Sequence, residues 1–404
     1  MKVLFLTHRV PYAPNRGDRI RAFHILRFLK STGFEVCLVA LAHERDERAS
    51  DNGLARLVDE LHLVPVPRRT NLVRAAMRLG GSQTLTHLLL DSPELTPLLT
   101  GIRRDWRPDV VLALCSSMAR FAMLPPLADL PLVIDLIDVD SFKWQSLAER
   151  SSFPFNWIYA REARLLRQFE VTSCKAACST IVVSEKEAAA LRSLDASLTP
   201  VVVPLGVDVG HFRPERQPSG SGVIFTGVFS YRPNLDGALW LIDEVWPRVV
   251  AQVPEARLSL VGSGPPAKLR RAAQRAGVLV TGTVPDVRTY LWQAAVTVAP
   301  LHTARGVQNK VLEGVAAGLP AVVTPAVYDG LPEPVRPACT AASTAEAFAA
   351  AIVELLRSPE ERRRRVESAP LGLLSWERCL QPLNVLLRQA ADSRAANPVA
   401  SRPR

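Results

Sequence analysis

Residues 305–324 read RGVQNKVLEGVAAGLPAVVT, and this stretch decides the fold class. The apolar run at 294–301 just before it reads as a buried strand. From Val307 the spacing turns helical, with Val311, Leu312 and Val315 apolar and Lys310 and Glu313 polar. Gly318-Leu319-Pro320 stops that helix, and Ala321, Val322 and Val323 begin another strand. Gly306, at the strand-to-helix joint, lets backbone N–H groups point at an anion where the helix dipole already favours negative charge. Lys310, one turn in, adds a full positive charge. Glu313 falls near the same face and can accept hydrogen bonds from sugar hydroxyls. Phosphate at a helix start with a hydroxylated ring beside it describes a nucleotide diphosphate-sugar. Strand-glycine-helix joints nevertheless occur throughout α/β proteins, and a lysine and a glutamate on one helix often form only a solvated pair.

The rest of the chain repeats the alternation. Strand candidates at 2–7, 35–41, 61–66, 110–114, 132–137, 180–183 and 201–203 are interleaved with helices at 18–31 and 155–178. The character changes near 204–208, and 213–222 has the composition of a linker. A second series follows, with strands at 223–225, 257–261, 278–281 and 296–301 and helices from Leu235 and at 268–276. This pattern predicts two Rossmann-like α/β domains, 1–205 and 206–375, facing across a cleft where ligands bind beyond the carboxyl ends of the strands. Residues 376–391 read as a C-terminal helix, apolar at Leu380, Leu383, Leu386 and Leu387, that packs on its own domain or crosses back to the first. Residues 392–404 read as a disordered basic tail.

A chain of 404 residues is too long for one ordinary core, and 48% hydrophobic content suffices to bury two. The six cysteines are scattered, mostly in apolar stretches, which points to buried thiols in a reducing cytosol; no His or Cys cluster completes a metal site. No segment approaches ~18 uninterrupted apolar residues, so no membrane span is expected, and the first strand is too short for a signal peptide. The net charge of +10 calls for an anionic partner. Aromatic residues make up only 6%, show no stacking stripe beside the arginines, and accompany no nucleic-acid-binding motif, which disfavours nucleic acid. Anionic small substrates and an anionic membrane surface remain. Arg19 and Arg21 read as surface charges, with one of them reaching an anionic acceptor as the alternative, and the run at 362–365 as a solvated helix face.

The motifs, taken in order, resemble the family-4 retaining glycosyltransferases of the GT-B fold, over residues 1 to 390. In the first half they are Phe5-Leu6-Thr7-His8-Arg9, Gly17-Asp18-Arg19-Ile20-Arg21, and Asp138-Val139-Asp140-Ser141 with Lys143-Trp144. In the second half they are Phe225-Thr226-Gly227 with Pro233-Asn234, Val261-Gly262-Ser263, Gly282 through Arg288, and Arg305 through Glu313. Within the family the chain is most similar to bacterial sugar transferases of exopolysaccharide and PEP-CTERM/exosortase loci. The resemblance implies transfer of a sugar from a nucleotide-sugar, with UDP or GDP as the nucleotide, to a hydroxyl of a glycan or lipid-linked acceptor. It places that work at the cytoplasmic face, with the protein peripheral on the inner membrane surface and no metal or other cofactor.

The resemblance also implies roles for residues. Gly17, Gly227, Arg232, Gly262, Val284, Pro285, Arg305, Gly306, Gln308, Asn309, Lys310 and Glu313 would bind the donor. Lys310 would stabilise the departing diphosphate, and Asp138 and Asp140 would orient the acceptor or stabilise developing charge. His8, Asp18 and Arg19 fall on the acceptor side. Family members carry two acidic residues eight positions apart; Glu313 matches the second, but the first is Arg305. Arg232 is the substitute for a basic residue that relatives carry after the glycine matching Gly227. Simple capping of the following helices by Asp18, Asp140 or Ser141 is the competing structural reading. Two other functions fit the same outline: a nucleotide-sugar epimerase of this fold, and a non-catalytic basic protein that holds a polyanion.

Overall fold

The computed structural model describes residues 1–12, 17–43, 47, 53–214, 221–304 and 306–396. The chain divides into two compact units, Met1–Pro204 with Leu380–Arg404, and Leu205–Cys379. Each is built on a parallel sheet.

In the first unit seven strands are β1 (Lys2–Thr7), β2 (Glu35–Ala42), β3 (Glu60–Pro65), β4 (Val110–Leu114), β5 (Leu132–Ile137), β6 (Ser179–Val182) and β7 (Val201–Val202), in the order β3-β2-β1-β4-β5-β6-β7. Every pairing is parallel. Strands covered on both faces must be apolar along their length, and β4 is buried at all five positions. The order reverses between β1 and β4, which opens a crevice at their carboxyl ends. Four helices matter below: α1 (Gly17–Ser31), α2 (Arg68–Met77), α3 (Asp140–Glu149) and α4 (Phe155–Ala176).

The second unit carries β8 (Gly222–Thr226), β9 (Arg257–Val261), β10 (Leu279–Val280), β11 (Val296–Ala299), β12 (Ala321–Val323) and β13 (Cys339–Ala341), ordered β10-β9-β8-β11-β12-β13. Its reversal lies between β8 and β11. The helices that flank it are α5 (Arg232–Trp240) and α6 (Asn309–Ala316). Helix α6 begins two residues later than the spacing from Val307 suggests, because Gln308 is extended (φ −88°, ψ 94°). Gly314 presses α6 onto β11: a Cβ there would stand 2.6 Å from Thr297 Cγ2. That contact fixes the height of Lys310, one turn earlier, above the sheet.

Several sequence expectations change. The C-terminal helix is not continuous: a short helix, Trp376–Cys379, belongs to the second unit, and α7 (Gln381–Ala396) belongs to the first, where it packs on β4 and β5. Pro382 explains the break, since its ring and missing N–H cannot continue a helix but suit a first turn. Helix α7 runs past Asp392 to Ala396, so the segment read as a tail is helical at its start. Arg21 is no surface charge. It is fully buried on α1, and its Nε donates to Asp135 Oδ2 in β5 at 2.7 Å. Arg362 is likewise buried and donates to the carbonyls of Leu355 and Leu356 at 2.9 and 3.1 Å. Of the thiols, Cys178 is exposed. No helix among the described residues is long and apolar enough to cross a membrane.

Two substitutions test these supports. Arg21→Ala leaves Asp135 buried without its partner and should destabilise the first unit by about 3–5 kcal/mol in denaturant unfolding. A Cβ at Gly262 (φ +146°) would lie 1.9 Å from the Gly227 carbonyl oxygen. Gly262→Ala must therefore force apart the ends of β8 and β9 and lower the melting temperature of the second unit, whereas Gly372→Ala, at an open position with no positive φ, should cost far less.

Candidate functional site

In the second unit Gly227, Gly262 and Lys310 converge at the carboxyl ends of β8, β9 and β11. The amine of Lys310 donates to Asn234 Oδ1 at 2.7 Å and lies 4.7 Å from the centre of the Phe225 ring. Asn234 Nδ2 is held in turn by the Val228 carbonyl at 2.9 Å. Gly227 faces both: a Cβ there would come within 3.0 Å of Asn234 Nδ2 and 3.2 Å of Lys310 Nζ. Burial pushes the Lys310 amine down to about 7, against the upward pull of the Glu313 carboxylate. Burial likewise pushes Glu313 up to about 7, against the pull of Lys310. Gln308, at the cap position of α6, does not cap the helix with its side chain, and Asn309 Oδ1 is buried with no partner among the described residues. The first turn of α6 thus presents N–H groups, an unpartnered amide oxygen and an ammonium on one side of a sheet end.

Gly262 N–H donates to the Gly282 carbonyl at 3.2 Å, which ties the turn carrying Val284 and Pro285 to the end of β9. Val284 packs against the apolar cluster of Ile224, Val261 and Leu291, while Pro285 is exposed. Gly306 takes φ +63°. Arg232 stands apart, exposed and ion-paired with Asp236 at 2.7 Å. Arg305 lies outside the described residues. Asn234 is the functional neighbour that sequence reading leaves without a role; its signal is its place directly after Pro233 in the quoted motif.

In the first unit His8, at the end of β1, meets Asp18 in the first turn of α1, with His8 Nε2 3.0 Å from Asp18 Oδ2. Arg9 Nε lies 3.1 Å from the same oxygen. Burial alone would raise the Asp18 carboxyl, but His8, Arg9 and the Arg19 N–H together hold it well below the usual carboxylate range. Asp18 therefore combines an ion-paired network with a contact to a first-turn donor, accepting the Arg19 N–H at 3.0 Å. The Arg19 guanidinium pairs with Glu47, whose other oxygen accepts from the His43 N–H at 2.8 Å. Gly17 has open space where a Cβ would stand and no unusual φ, so the protein itself does not demand glycine there.

Asp138 and Asp140 follow β5. The donors at the start of α3 are taken by others: Glu187 accepts from Val139 N at 2.8 Å and Glu170 from Ser141 N at 3.1 Å. Capping by Asp140 or Ser141 is thus not the arrangement adopted. Asp138 keeps an exposed face, but the protein packed around it, then the charges of Glu187 and Asp140, push its carboxyl up to about 6, and desolvation also raises Asp140. Neither carboxylate is hydrogen-bonded by another side chain among the described residues, and both feel Lys143. Cys115, at the end of β4, adopts φ +70°, and burial with the surrounding carboxylates keeps its thiol protonated. Elsewhere Cys37, Glu60 and His62 gather on β2 and β3, with His62 Nε2 3.2 Å and Cys37 Sγ 3.9 Å from Glu60 Oε2.

Comparison with known proteins follows the same division. A family model described as glycosyl transferase 4-like domain matches residues 17–206, and one described as glycosyl transferases group 1 matches residues 220–358. An uncharacterized 44.6 kDa protein in the cps region of Klebsiella pneumoniae is 22% identical over 267 residues, 65% of either chain. A GDP-mannose-dependent alpha-(1-6)-phosphatidylinositol dimannoside mannosyltransferase of Mycobacterium tuberculosis is 32% identical over 196 residues, 44% of this chain and 49% of that protein. The matched region thus spans about half to two thirds of these relatives' length. The crystal structure of Anabaena HepE in complex with UDP shares the fold, with a TM-score of 0.64 at 13% identity over 98% of this chain and 100% of that one. The two family models follow one another along the two sheets, and the chain belongs to the glycosyltransferases of the GT-B fold.

Proposed function

We propose that the protein transfers a sugar, with retention of anomeric configuration, from a nucleoside diphosphate-sugar to an acceptor hydroxyl. The observation that carries this reading is the Lys310 amine at the first turn of α6, held by Asn234 over the Phe225 ring and hemmed by Gly227. A cation kept in a desolvated pocket is poorly stabilised until an anion arrives, and a diphosphate supplies one. The diphosphate would lie against Gly227, Gly262 and the N–H groups of α6. Glu313 would accept from a sugar hydroxyl, and the turn at Val284 and Pro285 would hold the base.

The reaction then runs as same-face attack. The acceptor oxygen bonds to the anomeric carbon as the bond to the terminal phosphate oxygen breaks, and the hydroxyl proton passes to that phosphate oxygen. Negative charge grows on the departing diphosphate, and protonated Lys310 stabilises it most where it grows most. No step requires a metal ion, because the helix dipole and Lys310 fill that role. On the first unit Asp138 and Asp140 would orient the acceptor hydroxyl, and His8, Asp18 and Arg19 would contribute on the acceptor side. HepE binds UDP and the mycobacterial relative is named for GDP-mannose, which supports a nucleoside diphosphate and leaves UDP and GDP as the two nucleotides to compare. The relatives named for a phosphatidylinositol mannoside and for a cps region support a lipid-linked or growing surface glycan as acceptor, reached at the inner face of the membrane.

Thermal unfolding with UDP, GDP and ADP tests the donor site. A nucleotide at ~100 times its Kd should add roughly 2.7 kcal/mol to the stability of the binding unit. One of UDP or GDP should raise the melting temperature, with the shift reduced in Glu313→Gln; no shift with any nucleotide would count against the site. With donor and acceptor in hand, Lys310→Ala should lower kcat by ~10²–10³-fold. Unchanged turnover would remove Lys310 from the mechanism.

A further inference from the structure

We infer that the first unit carries a surface, made by α2 and the turn from α3 into α4, that docks on an anionic phospholipid bilayer. Helix α2 is inverted relative to an ordinary surface helix. Its buried positions are Asn71 and Ala75, and Asn71 Nδ2 donates to the carbonyls of Leu89 and Asp91 at 3.2 and 2.8 Å. Its outward side carries Leu72, Val73 and Met77, which are 53%, 58% and 74% exposed. Folding of the unit alone would favour the opposite orientation.

The turn into α4 behaves the same way. Phe153, Phe155 and Trp157 are 81%, 56% and 51% exposed, although each offers a large apolar area. The two segments are pinned together. One turn beyond Trp157, the buried Arg161 guanidinium donates to the carbonyls of Gly81 and Gln83, just past the end of α2. The neighbouring Glu162 carboxylate accepts from Leu85 and Thr86 N–H groups at 2.7 and 2.8 Å. The exposed apolar side chains of α2 and of the aromatic turn therefore flank a common, rigid junction.

Charge selects the occupant. Residues 67–90 contain four arginines and no acidic residue, and residues 150–161 contain no acidic residue either. Arg68, Arg69 and Arg78 are exposed on or beside α2, and Arg164 is exposed on α4. Apolar and aromatic side chains ringed by cations of one sign fit the boundary between acyl chains and anionic headgroups. The stretch of like charge without acids between them matches an anionic sheet of headgroups. The surface belongs to one unit and does not depend on the nucleotide reading.

Vesicle co-sedimentation of the full chain, without nucleotide, tests this. Vesicles of phosphatidylcholine with phosphatidylglycerol should bind the protein, and vesicles of phosphatidylcholine alone should bind it much less. Arg68→Ala with Arg69→Ala should weaken binding about fivefold per arginine removed. Phe153→Ser, Phe155→Ser and Trp157→Ser together should weaken it by about tenfold or more per aromatic side chain lost from the interface. Circular dichroism and the melting temperature of each variant show that it is folded. Failure of the wild type to bind anionic vesicles, or equal binding by folded variants of both sets, would overturn the assignment. Capture by an acidic protein with no vesicle binding would overturn it as well.

Discussion

The arrangement of the second unit depends on one amine kept out of water. Lys310 sits above Phe225, donates to Asn234, and faces the glycine at the end of β8. Desolvation of an ammonium is expensive, and the protein relieves part of that cost by letting the pKa fall to about 7. The glycines at 227 and 262 follow from the same constraint. Side chains there would collide with Lys310, Asn234 or the opposing carbonyl. Gly314 completes the set by bringing α6 close enough to β11 to hold Lys310 at that height.

The first unit solves a related problem with acids. Glu162, Glu170 and Glu187 accept from backbone N–H groups at or beside helix starts, which satisfies donors that would otherwise be orphaned. Because Glu170 and Glu187 take that task at α3, Asp138 and Asp140 are left at the end of β5 with raised affinity for protons. Nearby, His8 and Arg9 hold Asp18 firmly ionised. Two carboxylates free of capping and one fixed in its charge make distinct environments within a short span of sheet ends. Such divergence among neighbouring carboxylates marks a candidate functional cluster.

The sheets were legible because strands buried on both faces must be apolar along their length, as at 110–114 and 132–137. The donor helix was legible through its periodicity, although extended Gln308 delays its start to Asn309. Partners far apart in sequence were not legible. Nothing beside Arg21 announces Asp135, and nothing beside Lys310 announces Asn234, since only the folded sheet brings either pair together. The break before α7 did have a local signal in Gln381-Pro382, which the spacing of leucines on either side obscured. The inverted helix α2 escaped reading for a similar reason: its apolar side chains imitate a core face, and only burial reveals which way they point.

Calorimetric titration with whichever nucleoside diphosphate binds, in buffers of different ionisation enthalpy slightly above neutral pH, tests the role of Lys310 most directly. A diphosphate beside the amine should raise its pKa, so wild-type binding should take up as much as one proton per site. In Lys310→Met, which keeps the bulk and loses the titrating group, that uptake should vanish while weaker binding remains. Binding without proton uptake, or uptake of equal size in Lys310→Met, would contradict a diphosphate seated on this lysine.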